Sequence, residues 1–485
     1  MSLHYDLLIR NALVIDGTRR PRFAGDIGVR GGRIADIGLL AQARAAVEID
    51  AHGKIAAPGF IDAHTHDDRL LGSDPAMTPK VSQGVTSVII GNCGISLAPL
   101  VCASPPAPLD LIDDGGAFRF PDFASFLEEL ESRPAATNVA SLVGHTTLRV
   151  ASMSRLDRAA TPAETARMQA LVRAALAAGA VGLSTGTYYP PAAHATTEEI
   201  IAVARPLKDY GGRYVTHMRY EDDRIAEAME ETFRIGREVG VPVVISHHKV
   251  VGARNHGRSA ETLALLAKAG ERQSVCLDCY PYTASSTILR ADRIALSSRI
   301  LITWSRPHPE FAGMELAQAA ERLGLTREDA VSRLSPAGAI YFSMDEADVQ
   351  RILQYDETMV GSDGLPHDVK PHPRLWGTFA RVLGHYCRDL GLFPLETAVY
   401  KMTGLTARNF GLKDRGLLQP GCWADITIFD AGEIGDAASF DEPTQLARGI
   451  DSVIVNGVEV WREGRSTGAR PGRLLRAGAE RGIKN

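Results

Sequence analysis

The sequence predicts an α/β chain built on a (β/α)8 barrel of the TIM type, with a small β-sandwich domain formed from both chain ends and an insertion after barrel strand 7. Three observations predict it. Eight apolar or β-branched runs of strand length recur between residues 60 and 361, helical patterns fall between most of them, and hairpin-like strands are confined to the two ends. The expected boundaries are 1–58 and 415–480 for the small β domain, 59–414 for the barrel, and 281–355 for an inserted, lid-like segment within the barrel.

Composition sets the class. A chain of 485 residues, 45% hydrophobic and 23% charged, can bury more than one core. A net charge of -5 and a pI near 6.3 argue against nucleic acid or an anionic membrane as partner, since both favour a basic surface, and leave a small molecule as the expected one. The opening Met1-Ser-Leu-His-Tyr-Asp has no basic segment followed by an apolar run. No stretch approaches the roughly 18 apolar residues of a membrane helix, so a cytoplasmic location is expected. Six unevenly spaced cysteines do not make a disulfide framework and are expected to be reduced.

Taken in order, residues 5–15 read as a strand closed by the turn dipeptide Asp16-Gly17, and short strands follow at 26–29 and 33–37, split by Gly31-Gly32. The same texture returns at 425–429 and at 452–461, the latter broken by the hairpin signal Asn456-Gly457. Hairpins are marginal alone, so the two ends are expected to pair. The barrel strands are the Phe60-Ile61 stretch and the runs 85–90, 139–143, 180–184, 213–216, 241–246, 274–280 and 358–361. Helices are expected at 161–178, which opens with Thr-Pro-x-Glu, and at 196–210, 223–239 and 259–269. Between strands seven and eight, residues 281–355 far exceed an ordinary barrel loop of a few residues and contain Ile-Leu-Ile-Thr-Trp-Ser and a helical 346–353.

A barrel of this kind carries its chemistry at the strand C-terminal ends, and metal-type residues fall there. His64 and His66 end the first strand and, at i and i+2, face one side together. Cys93 lies beyond the second strand, His217 ends the fifth, His247 and His248 the sixth, and Asp363 the eighth. Each alone has a dull reading, but jointly they point to a divalent metal. Cys276 and Cys279 form a Cys-x-x-Cys, yet i and i+3 in a strand point to opposite faces, so neither a redox nor a zinc role is expected. Cys102, Cys387 and Cys422 lack companions, and the arginines Arg470, Arg473 and Arg476 are expected on the surface. His145, at the third strand's exit, is given no role.

These residues carry a resemblance. Gly-Phe-Ile-Asp-Ala-His-Thr-His-Asp-Asp, Gly-Asn-Cys-Gly, Thr-His-Met-Arg, Ile-Ser-His-His-Lys, Tyr-Pro-Tyr, Ile-Thr-Trp-Ser, Gly-Ser-Asp-Gly and Gly-Cys-Trp-Ala-Asp-Ile together resemble the amidohydrolase superfamily, and within it the D-aminoacylase (N-acyl-D-amino-acid deacylase) family. The resemblance implies zinc-dependent hydrolysis of N-acyl-D-amino acids. Its tight metal site would comprise Cys93, His217 and His247. His64 and His66 with Asp363 would hold a second, weaker metal or line an unoccupied site. Many binuclear relatives use a carboxylated lysine from the fourth strand, but here that strand reads Val-Gly-Leu-Ser-Thr-Gly, and a Cys93 thiolate can supply the missing negative ligand. His248 faces away from His247 in a strand and is taken as a neighbour.

Asp363 would pass a proton from water to the leaving amine, or act as a ligand only. Lys249, Tyr280 and Arg374, with Ser286 as a helper, would bind the substrate α-carboxylate. Arg290 and Arg293, near the start of the insertion, lean towards an acidic side chain, N-acyl-D-glutamate, should either point inward. Two alternatives stay open: a cyclic amidohydrolase of hydantoinase or dihydroorotase type, and a non-catalytic barrel scaffold.

Overall fold

The structure, a computed structural model, describes residues 4–113 and 116–477; residues 478–480 of the expected small domain fall outside the described residues. Eight parallel strands form the central sheet: β1 (Phe60–Asp62), β2 (Val85–Ile90), β3 (Asn138–Gly144), β4 (Gly182–Gly186), β5 (Arg213–His217), β6 (Val243–Ile245), β7 (Val275–Cys279) and β8 (Thr358–Val360). They are hydrogen-bonded in chain order, each to the next. Closure comes from Ala63 N donating to Val360 O at 3.2 Å and a parallel bridge between Thr65 and Gly364. The expected run 241–246 shortens to β6 for two local reasons. Pro242 has no N–H to give a ladder, and His247 turns out of extended backbone at φ 35°.

The two rims are filled differently. Ile61, Ile89, Leu142, Val215, Val244 and Met359 pack in one cluster with Leu405, Phe410 and Leu412, contributed by or following the helix Gly404–Phe410. This apolar plug closes the rim where the strands begin and leaves the opposite rim to polar side chains. Outside, the helix Pro162–Ala178 starts with a full capping box between Thr161 and Glu164. The single helix expected over 196–210 is two, Thr197–Ala204 and Pro206–Tyr210, because Pro206 cannot donate the i→i−4 bond that would join them.

Strands from both ends share one nine-stranded sheet. Its junction is Ile55–Pro58, which runs antiparallel to Ile426–Phe429. The sheet curls until Arg33 bridges Trp423, enclosing Ile9, Val14, Ile27, Ile34, Ile426, Ile428 and Ile454. An edge strand that sequence reading omits, Arg44–Asp50, is largely exposed and lacks a clear apolar face. After β7 come three antiparallel strands, Ala284–Ile288, Arg299–Ser305 and Ala337–Phe342, covered by helices Leu316–Leu323 and Arg327–Leu334. The helix Glu346–Gln354, expected within the insertion, packs on β7, β8 and the helix Ser259–Gly270, like the other outer helices.

Candidate metal centre

At the rim where the strands end, residues from five of the eight strand exits converge. Cys93 Sγ lies 3.3 Å from His64 Nε2 and 3.4 Å from His247 Nε2. His217 Nδ1 is 2.9 Å from the same His247 nitrogen. Asp363 Oδ1 completes the cluster, 3.4 Å from His64 Nε2 and 3.3 Å from His66 Nε2. One thiol, imidazoles and a carboxylate within a few ångströms, all buried, fit a divalent cation of zinc-like preference. Cys93 sits between the two histidine groups rather than with one of them. Three of the donors hold backbone that L-residues rarely adopt: φ is 55° at Cys93, 35° at His247 and 50° at Asp363.

The electrostatics favour ligand forms. Burial pushes the Cys93 thiol up, but the facing His64 and His247 outweigh it and hold it well below the usual thiol value, which favours the thiolate. Burial first, then His247, bring His217 down to about 4, leaving a neutral ring with a free lone pair. Asp363 is held well below the ordinary carboxylate range because Arg374 and His64 overcome its burial. His66 is raised to about 9, Asp363 and Cys93 prevailing over burial. The negative donors therefore favour a proton on His66.

Two residues that sequence reading missed orient these donors. Asp278, on β7, lies 3.4 Å from His64 Nδ1 and accepts from His247 N at 2.8 Å, which turns His64 Nε2 towards Cys93. Glu221, four residues past His217, lies 3.3 Å from His247 Nδ1. A buried aspartate in the apolar run Val-Cys-Leu-Asp-Cys was a readable signal for the first; Glu221 had none.

The expected carboxylate-binding residues are placed unevenly. Arg374, wholly buried, forms an ion pair with Asp363 Oδ2 at 2.8 Å and lies over the Tyr280 ring at 4.5 Å. The Tyr280 hydroxyl is buried without a partner among the described residues. Lys249 Nζ is 2.5 Å from Glu221 Oε1 and 2.8 Å from His247 Nδ1, so its ammonium fills the second donor group, His217 with Glu221 and His247. Ser286 turns its hydroxyl to Ala339 O at 3.3 Å and offers Arg374 its carbonyl at 3.1 Å.

At the outer rim, a cavity of about 250 Å³ is lined by Tyr188, Glu221, Arg290 and Arg293 among others, and Tyr188 stacks on His217 at 5.3 Å. Arg293 is buried and donates to Tyr188 at 2.9 Å and Glu221 at 3.4 Å. Arg290 is paired with Asp292 at 2.6 Å. His248 points outward to Thr262 at 2.8 Å, and His145 turns to Glu199 at 3.3 Å. Burial pushes the Cys276 and Cys279 thiols up.

Comparison with known proteins places this geometry. The model of the amidohydrolase family matches residues 47–303 and 305–461. D-aminoacylase of Alcaligenes xylosoxydans xylosoxydans is 59% identical, covering 98% of each chain. N-acyl-D-aspartate deacylase of the same organism is 54% identical, covering 98% of this chain and 95% of its own. A solved N-acyl-D-glutamate deacylase from Bordetella bronchiseptica, complexed with zinc and a phosphonate mimic of the tetrahedral intermediate, superposes with a TM-score of 0.95 at 47% identity, covering 98% of this chain and 100% of that one.

Proposed function

From the premise that this chain belongs to the amidohydrolase family, in the branch of the D-aminoacylases, we propose how its residues divide the work. The enzyme is a metal-dependent hydrolase of N-acyl-D-amino acids, releasing a carboxylate and a free D-amino acid. The observation that carries the reading is Asp363, one oxygen facing the metal-side histidines and the other on Arg374. It joins the hydrolytic end of the site to the end that holds the substrate's carboxylate.

The metal is zinc, held tightly by Cys93, His217 and His247, with His64, His66 and Asp363 forming a second, weaker position. Bound there, it supplies polarisation of the amide carbonyl and acidification of water. Arg374 and the unpartnered Tyr280 hydroxyl receive the α-carboxylate, with Ser286 holding Arg374 in place through its carbonyl, and Lys249 joins them only by leaving Glu221. Asp363 takes the proton from the attacking water and returns it to the amine nitrogen as the C–N bond breaks. Arg374 couples the two events. A substrate carboxylate shares its guanidinium, loosens its hold on Asp363 and raises that carboxylate's basicity once the site is filled.

For the side chain, Arg290 is the cation at the rim cavity that a substrate can draw from its exposed partner Asp292, which favours N-acyl-D-glutamate; Arg293 is already neutralised by Glu221. The kinetic ratio of N-acetyl-D-Glu to N-acetyl-D-Leu before and after Arg290→Ala tests this, and an unchanged ratio sinks the assignment. The reaction itself is tested with a panel of N-acyl-D- and N-acyl-L-amino acids, hydantoin and dihydroorotate. Turnover of the D series alone is expected; turnover of the cyclic amides alone would give the site to the rival chemistry.

A further inference from the structure

Behind the donor atoms lies a cation that the reaction does not touch. Lys80 sits on the short helix Thr78–Val81 and is wholly buried. Its Nζ is 2.8 Å from Asp62 Oδ2, 3.3 Å from Asp67 Oδ2 and 2.8 Å from Ser362 Oγ. Asp62 ends β1, Asp67 follows His66, and Ser362 precedes Asp363. The other oxygen of Asp62 accepts from Ser362 N at 2.8 Å and from His64 N at 3.3 Å. Asp363 N donates to His64 O at 2.8 Å, and Gly364 N reaches Ser362 Oγ at 3.3 Å.

The first and last barrel strands are joined by no turn. Ser362 and Asp62 are 300 positions apart in the chain, so nothing local sets how far the β8 exit slides along the β1 exit. Asp363 also stands in left-handed backbone, which persists only where its surroundings over-determine it. The bonds that do so run through Asp62 and Ser362, and Lys80 is their common partner. We infer that Lys80 is a positioning residue that clamps the β1 and β8 exits together, setting Asp363 against His64 and His66 and thereby fixing the weaker metal position. The inference rests on the reading that those three residues hold that position. Lys80 makes no bond to the β2, β5 or β6 exits, which carry Cys93, His217 and His247.

That asymmetry gives the test. Metal-free wild type and Lys80→Met are titrated with cadmium by calorimetry, the tight position read as the first equivalent and the weaker one as the second, with thiolate-to-cadmium absorbance confirming that Cys93 binds. The expected result is a tight position unchanged within about 2-fold and a weaker one whose dissociation constant rises about 10–100-fold, the range typical for loss of a group that orients ligands. Ser362→Ala removes only the β8 arm of the clamp; it gives the same asymmetry at about 3-fold and serves where Lys80→Met does not fold. Equal weakening at both positions, or at neither, overturns the clamp. Wild type that takes a single ion overturns the two-position reading instead, and the inference falls with it.

Discussion

The two rims of the barrel make the same backbone turn with different residues. Where the strands begin, left-handed positions that pass the chain from an outer helix into β4, β5 and β6 are Gly179, Gly211 and Gly240, with φ of 118°, 65° and 75°. Where the strands end, Gly91 and Gly94 also adopt it, but the same region of φ is held too by three donors, Cys93, His247 and Asp363. Glycine adopts it at no steric cost, whereas another L-residue loses about 1–2 kcal/mol. Three such residues together cost about 3–6 kcal/mol, a large share of a typical net stability of about 5–15 kcal/mol. The plugged rim is therefore built for stability, and it supports an open rim built to aim donor atoms.

If the rims divide in this way, substitutions should separate chemistry from stability. Asp363→Asn is expected to have the largest effect, lowering kcat about 10³-fold or more at saturating metal while far-UV circular dichroism is unchanged. Near wild-type activity would leave Asp363 as a ligand only. At the other rim, Leu405→Ala removes a fully buried side chain from the plug. It should cost about 2–5 kcal/mol in denaturant unfolding, with kcat per folded molecule preserved; a matching loss of kcat would show that the rims are not independent.

Lys401 sharpens the contrast with a sign. It is buried at the plugged rim with Nζ bonded to the backbone carbonyls of Tyr355 and Thr358, and burial, then the charge of Arg19, bring its ammonium down to about 7. Below pH 7 the folded and unfolded chains both carry the proton, and the burial penalty is fully present. Between about 7 and the unfolded value of about 10.4 the unfolded chain binds more protons, so stability rises with pH. Lys401→Met should therefore be about 4 kcal/mol more favourable to stability at pH 6 than at pH 10. Equal shifts at both values would remove the titration from the account. The smallest effect belongs to Gly240→Ala, where an added Cβ meets nothing closer than 3.8 Å, so only the backbone cost of about 1 kcal/mol should appear in the melting temperature.

How much of this was legible follows the same division. Strands of a parallel barrel are covered on both faces and read as continuous apolar runs, which is why Val85–Ile90 and Val275–Cys279 stand out in the chain. His64, Cys93 and Asp363 could be nominated because a barrel puts strand exits at one mouth. The inserted sheet was less readable: Ala-Ser-Ser-Thr-Ile is short and polar, and the strand Ala337–Phe342 carries a glycine. Glu221 and Lys80 escaped because the contacts that define them, with His247 and with Ser362, span 26 and 282 positions, and no local spacing encodes such a meeting.

The pairing of Ile55–Pro58 with Ile426–Phe429 has a consequence for synthesis. Ile55–Pro58 leaves the ribosome with an open sheet edge whose neighbour is made about 370 residues later. At translation rates of about 5–20 residues per second that edge waits roughly 20–70 seconds, and β1, which continues directly from it, waits roughly 15–60 seconds for β8 to close against. The newborn chain thus exposes bonding groups at its barrel sheet until β8 emerges and at the other sheet until Ile426–Phe429 does, an interval in which a holding chaperone would protect it.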